Sequence, residues 1–124
     1  CYHVTPIQNI PSIQMHGLVP AIGPLSRCKQ EQTPGIYLFT TMTDMEDAIT
    51  NWLGDALEEQ YGDDCDIAIL HIDLPDSISI ERSSVEYECI CREIIPAKYI
   101  TFYDDSGNRI STNWFFARRF ISNA

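Results

Sequence analysis

Glu86 and Glu88 stand two residues apart in Val85-Glu86-Tyr87-Glu88-Cys89-Ile90-Cys91-Arg92, a stretch whose alternation predicts a strand. Side chains two apart on a strand share a face, so the stretch presents two carboxylates to one side. Such acids can stabilise a developing positive charge or orient and deprotonate an incoming polar group. Their mutual repulsion requires that at least one be raised in pKa or solvated, unless a cation lies nearby. Alternation with Tyr87 and Cys89 would equally produce a solvent-facing strand edge. His3 carries an imidazole with one donor and one acceptor, and Tyr37 a flat ring whose face attracts cations. Taken singly, each also fits a structural place in a strand. Arg27 could pair with an anion, although a lone loop arginine is ordinarily solvated.

Other constellations are missing. The chain has no Gly-x-Gly-x-x-Gly, no Walker sequence and no His-Glu-x-x-His, and His16, His71 and the cysteines lack metal-ligand spacing. No local signature of a Ser-His-Asp arrangement occurs. The five cysteines, Cys1, Cys28, Cys65, Cys89 and Cys91, form an odd set without a Cys-x-x-Cys pair. They read as free thiols in a reducing compartment, with Cys89 and Cys91 on one strand face.

The elements that must position these residues follow from periodicity and punctuation. Cys1 to Thr5 predicts a strand ended by Pro6, and Ile7, Ile10 and Ile13 a short helix stopped at His16-Gly17. Val19 to Gly35, with Pro20, Gly23, Pro24 and Pro34, predicts a loop of about fifteen residues, long enough to suspect function. Gly35 to Thr40 predicts a buried strand. A helix capped by Thr43 or Asp44 follows, its core face marked by Met45, Ala48, Ile49, Trp52, Leu53, Ala56 and Leu57. Asp66 to Leu74 is apolar on both alternations and predicts a strand covered on both sides. Further strands are expected at Ile78–Glu81, Val85–Arg92 and Ile100–Tyr103, the last turned by Asp104-Asp105-Ser106-Gly107-Asn108, with a closing helix or arm around Trp114, Phe115, Phe116 and Phe120. Helices early and strands late predict an α+β fold around a mixed or antiparallel sheet.

A chain of 124 residues, 44% apolar, fits one domain over 1–124. No run of about eighteen apolar residues is present, so no membrane span is expected, and no targeting segment is visible; a cytoplasmic location is the expectation. Eight Lys and Arg against eighteen Asp and Glu give a net charge of −10, which disfavours nucleic acid as a partner. No basic residue lies between Lys29 and Arg82, while acids gather from Asp44 to Asp76, so one face is expected to be strongly negative and solvated. Arg109, Arg118 and Arg119 make the C-terminal end locally basic, with room for an anionic small ligand.

Tyr2-His3-Val4-Thr5, the Ile-spaced helix into Met15-His16-Gly17-Leu18-Val19-Pro20, and Gly35-Ile36-Tyr37-Leu38-Phe39-Thr40 together resemble the opening of ADP-ribosyltransferases of the histidine-tyrosine-glutamate type, such as poly-ADP-ribose polymerases and diphtheria-type toxins. Tyr87-Glu88-Cys89-Ile90-Cys91 running into Ile94-Ile95-Pro96-Ala97-Lys98-Tyr99-Ile100 is similar to the glutamate strand of bacterial toxin transferases, especially the DNA-modifying group. The resemblance covers about the first hundred residues and rests more on the order of short motifs than on any one of them. It implies a split sheet with flanking helices, NAD as substrate, His3 on the adenosine ribose, Tyr37 on the nicotinamide ring and Glu88 as the catalytic carboxylate. Glu86 would help activate the acceptor, as in the arginine-modifying branch, and Arg27 would meet the pyrophosphate. The family's second tyrosine is missing from the following helix, where Trp52 either completes the ring sandwich or belongs to the core. The basic residues of the DNA-modifying group are mostly absent, so a protein acceptor is favoured over nucleic acid. A small toxin, effector or phage protein is the implied setting. The competing expectation is a catalytically inactive acidic interaction protein, a nucleic-acid mimic or inhibitor, on the same fold. An RNA 2′-phosphotransferase of related fold would need a basic phosphate-binding surface. Acceptor and oligomeric state are not readable from the sequence.

Overall fold

The computed structural model describes residues 1–20, 34–62, 66–82 and 88–110, with the side chains of Trp52, Gln60 and Tyr61 outside that description. The fold is α+β. Six strands, β1 (Tyr2–Pro6), β2 (Ile36–Phe39), β3 (Ile67–Ile72), β4 (Ile80–Arg82), β5 (Glu88–Cys91) and β6 (Ile100–Asp104), form one sheet in the order β4-β5-β2-β1-β3-β6. Every pairing in it is antiparallel, which decides between the mixed and antiparallel alternatives. The pairing is uneven. β1 and β3 match over five residues, from Tyr2↔His71 to Pro6↔Ile67, and β2 and β5 over four, from Ile36↔Cys91 to Phe39↔Glu88. β1 and β2 share only Tyr2↔Phe39. The sheet is therefore two three-stranded halves joined by one registered pair.

Alternation along each strand divides the apolar residues between two cores. On one face Ile36, Leu38, Ala68 and Leu70 meet Ile10 and Ile13 of helix α1 (Ile10–His16), which continues a 3₁₀ turn at Ile7–Asn9. On the other face Val4 and Phe39 meet Met45, Ala48, Leu53 and Leu57. Each such Leu, Ile or Phe contributes roughly 1.5–3 kcal/mol by leaving water. The buried residues of the second helix keep the expected spacing, but the helix is not uniform. α2 (Met42–Ala48) passes into a π-helical turn at Ile49–Leu53 and then into α3 (Gly54–Tyr61). The Gly54 N–H donates to the Ile49 carbonyl, and a Cβ at Gly54 would meet that same oxygen. The wide turn and the glycine explain one another.

Three expectations are corrected in detail. The cap of α2 is Thr41 rather than Thr43 or Asp44: its backbone is extended and its Oγ1 accepts from the Asp44 N–H at 3.1 Å. β4 begins at Ile80, because Ile78 is held in a turn by its N–H donating to the Pro75 carbonyl at 3.0 Å. β3 is fully buried on the α1 side and half-buried on the other, so it is covered unequally. The Asp104–Asn108 turn forms as expected, with the Gly107 N–H bonded to the Asp104 carbonyl at 3.1 Å. The 21–33 portion of the loop and the Trp114–Phe120 arm lie outside the described residues.

Candidate functional site

Glu88 opens β5, an interior strand with β4 on one side and β2 on the other. Its residue is 1% exposed, so it is not on the solvent-facing edge that simple alternation would allow. Glu88 lies opposite Phe39, and Phe39 opposite Tyr2, which sets the three in one row across β5, β2 and β1 on the face covered by α2. Tyr37 lies opposite Ile90, two residues beyond Glu88, and is 5% exposed. Tyr37 and Glu88 are therefore diagonal neighbours on one face, about 7–8 Å apart at the backbone.

His3 meets the Tyr37 backbone from the other face of the sheet. Its register partner is Leu70, which belongs to the opposite core, so its side chain starts from the other face. Continuing the Tyr2↔Phe39 register would set Val4 against Tyr37, yet the β1–β2 ladder holds no such pair. Instead His3 Nδ1 lies 2.8 Å from the Tyr37 carbonyl oxygen. A carbonyl only accepts, so Nδ1 carries the proton and Nε2 is left as the acceptor of the neutral ring. Burial pushes the His3 pKa below the ordinary imidazole value, opposed by the bond to Tyr37. A side chain thus takes the bond that a neighbouring strand would have made, at the point where the two halves of the sheet part.

Tyr2 extends this row into an aromatic cluster: its ring meets His71 edge-on at 4.9 Å, and His71 lies 4.1 Å from Tyr103. Burial lowers the His71 pKa as well. Sequence reasoning missed Tyr2, His71 and Tyr103 because their proximity depends on register between β1, β3 and β6, which no local pattern encodes. Cys89 and Cys91 are buried free thiols on the α1 side, as their spacing implied, and burial raises the Cys91 pKa. Arg27 and Glu86 lie outside the described residues, and of Trp52 only its backbone place in the π turn is described.

Of the six expected site residues, His3 bonds the Tyr37 backbone where β1 and β2 part, and Glu88 lies on the next strand, diagonal to Tyr37, on the face opposite the His3 side chain. A cavity among the described residues lies elsewhere, against α1 and β6. Among the described residues no three His, Cys, Asp or Glu are grouped to hold a metal ion, and no helix is long and apolar enough to cross a membrane. Comparison with family models, curated proteins and solved structures gives no match.

Proposed function

We propose that the chain is a mono-ADP-ribosyltransferase that cleaves NAD at its nicotinamide bond and passes ADP-ribose to a macromolecular acceptor, with protein favoured. The observation that carries this reading is the bond between His3 Nδ1 and the Tyr37 carbonyl where β1 and β2 part, with Glu88 diagonal to Tyr37 on the adjoining strand. The sheet's near-division between β1 and β2 supports the split architecture implied by the sequence resemblance.

The residues fit such a substrate chemically. The Tyr37 carbonyl fixes the His3 tautomer, and the remaining Nε2 can accept a bond from a ribose hydroxyl. NAD supplies a good leaving group, nicotinamide, whose departure leaves positive charge on the ribose. Glu88, enclosed between two strands, acts at low local dielectric, where a carboxylate stabilises developing cationic character more than it would in water. Tyr37 offers its ring face to the departing heterocycle. With both Tyr37 and Glu88 buried, binding requires the seam to open. Trp52, Arg27 and Glu86 keep the roles proposed from the sequence: ring contact, pyrophosphate contact and acceptor activation.

The competing reading, an inactive acidic interaction protein, draws on the exposed acids of α2 and α3, Glu46, Asp47, Asp55, Glu58 and Glu59. Incubation with NAD labelled in its adenine half separates the two. The transferase releases nicotinamide slowly in buffer and labels protease-sensitive material in a lysate. Absence of both signals rejects the enzyme, and label in nuclease-sensitive material alone keeps the enzyme but overturns the protein acceptor.

A further inference from the structure

The cavity against α1 and β6, of 560 Å³, is bounded by Gln14 of α1, by Ala97 and Lys98 of the 3₁₀ turn before β6, by β6 itself and by Arg109 and Ile110 of the returning chain. It belongs to the α1 face and the β6 edge of the sheet, away from the seam. Three observations concern what would fill it. The first is charge: two of the four Lys and Arg residues described, Lys98 and Arg109, line it, and no carboxylate does. In a chain of net charge −10 that local excess runs against the composition. Neither cation is in an ion pair among the described residues, whereas Arg92 is held by Glu81 at 3.2 Å. The second is an amide. Gln14 Nε2 is shielded from water and has no hydrogen-bond partner among the described residues, so its N–H groups call for an acceptor. The third is the wall, where Ile100, Phe102 and Ile110 supply apolar surface beside the polar groups, in a volume of small-molecule size.

We infer that this cavity binds a phosphate monoester with a flat apolar body: the phosphate at Lys98, Arg109 and the Gln14 amide, and the body against Phe102 and Ile110. Two cations match the charge of a phosphate monoester near neutral pH better than that of a carboxylate. The site is independent of the seam and does not require the transferase reading.

The test is a nuclear magnetic resonance titration of the full chain with phenyl phosphate, following the Gln14 side-chain amide and the Arg109 Nε–H. Saturable shifts are expected at both, weakening with added salt. Arg109→Ala and Lys98→Ala each lower the affinity about tenfold, as loss of a charge-assisted hydrogen bond implies. Both side chains are exposed, so the melting temperature should hold and a failure of binding is not a failure of folding. Gln14→Leu removes the amide at similar volume and also weakens binding. Inorganic phosphate should bind at the same groups more weakly, and benzoate more weakly than phenyl phosphate. Equal binding of phenol, unchanged affinity in both charge variants, or shifts at His3 and Tyr37 in place of Gln14 would overturn the assignment.

Discussion

Glu88→Gln removes the charge of an enclosed side chain while keeping nearly its shape, so its effects on stability and on chemistry separate cleanly. For the proposed reaction, turnover of NAD should fall by roughly two to three orders of magnitude with little change in the Michaelis constant. Full retained activity, measured as nicotinamide release, removes Glu88 from the mechanism. The two half-buried imidazoles make a second prediction. His3 and His71 have lowered pKa values, so the unfolded chain takes up their protons first as pH falls. Their folded form is unopposed above the ordinary histidine range and loses stability as pH drops through it towards the lowered values. Thermal melts between neutral and mildly acidic pH should show that loss, and His71→Phe, which keeps a ring between Tyr2 and Tyr103, should flatten it. The residue types of His3, Tyr37 and Glu88 singled them out in the sequence. The contact between His3 and Tyr37 was not legible there, because the Nδ1 bond to the Tyr37 carbonyl spans thirty-four residues and depends on where a ladder stops.

Gly17 ends α1 with φ 77° and ψ −176°, a region that L-residues avoid, and a Cβ there would strike the Ile95 carbonyl. This lets Leu18 leave the helix directly into a two-bond bridge with Ile95, at 2.9 and 3.0 Å. Gly17→Ala should therefore cost about 2 kcal/mol or more, since strain and loss of the bridge add. Chemical denaturation measures it, and a cost within 0.5 kcal/mol, the ordinary range for a neutral surface change, would contradict the assigned role. Helix and strand existence was largely legible at this scale, because Ile10 and Ile13 or Met45 and Leu57 keep their periods whatever surrounds them. The π turn was not, since Ile49–Leu53 has a spacing that an α-helix satisfies equally well. The Thr41 cap was passed over for a similar reason: Thr41, Thr43 and Asp44 all offer a cap, and only backbone geometry chooses.

Charge acts on the molecule as a whole. The exposed acids of α2 and α3 face no described cation across their own surface, as the run from Asp44 to Asp76 without Lys or Arg implied. Self-repulsion of this kind is screened by salt, so the melting temperature should rise as sodium chloride increases from low ionic strength, most steeply before the Debye length falls to about 8 Å. Charge and composition were legible without a fold; a split sheet was implied only by resemblance, and the place where it parts was not legible, because it rests on a pairing that is missing rather than on residues that are present. That division also bears on the order of assembly. β1 is first among the strands in sequence yet central in space, and its main partner is β3, with Tyr2 matched to His71. The β2–β5 pairing spans a comparable loop, whereas β3–β6 and β4–β5 close across much shorter ones. On a growing chain β1 must wait, unpaired, until β3 has been made, and β2 until β5 follows, so both strands that border the seam depend on the long closures. Pulsed hydrogen exchange should accordingly find the amides of β3 and β6 protected before those of β1, so that the seam is the last line along which the molecule becomes one.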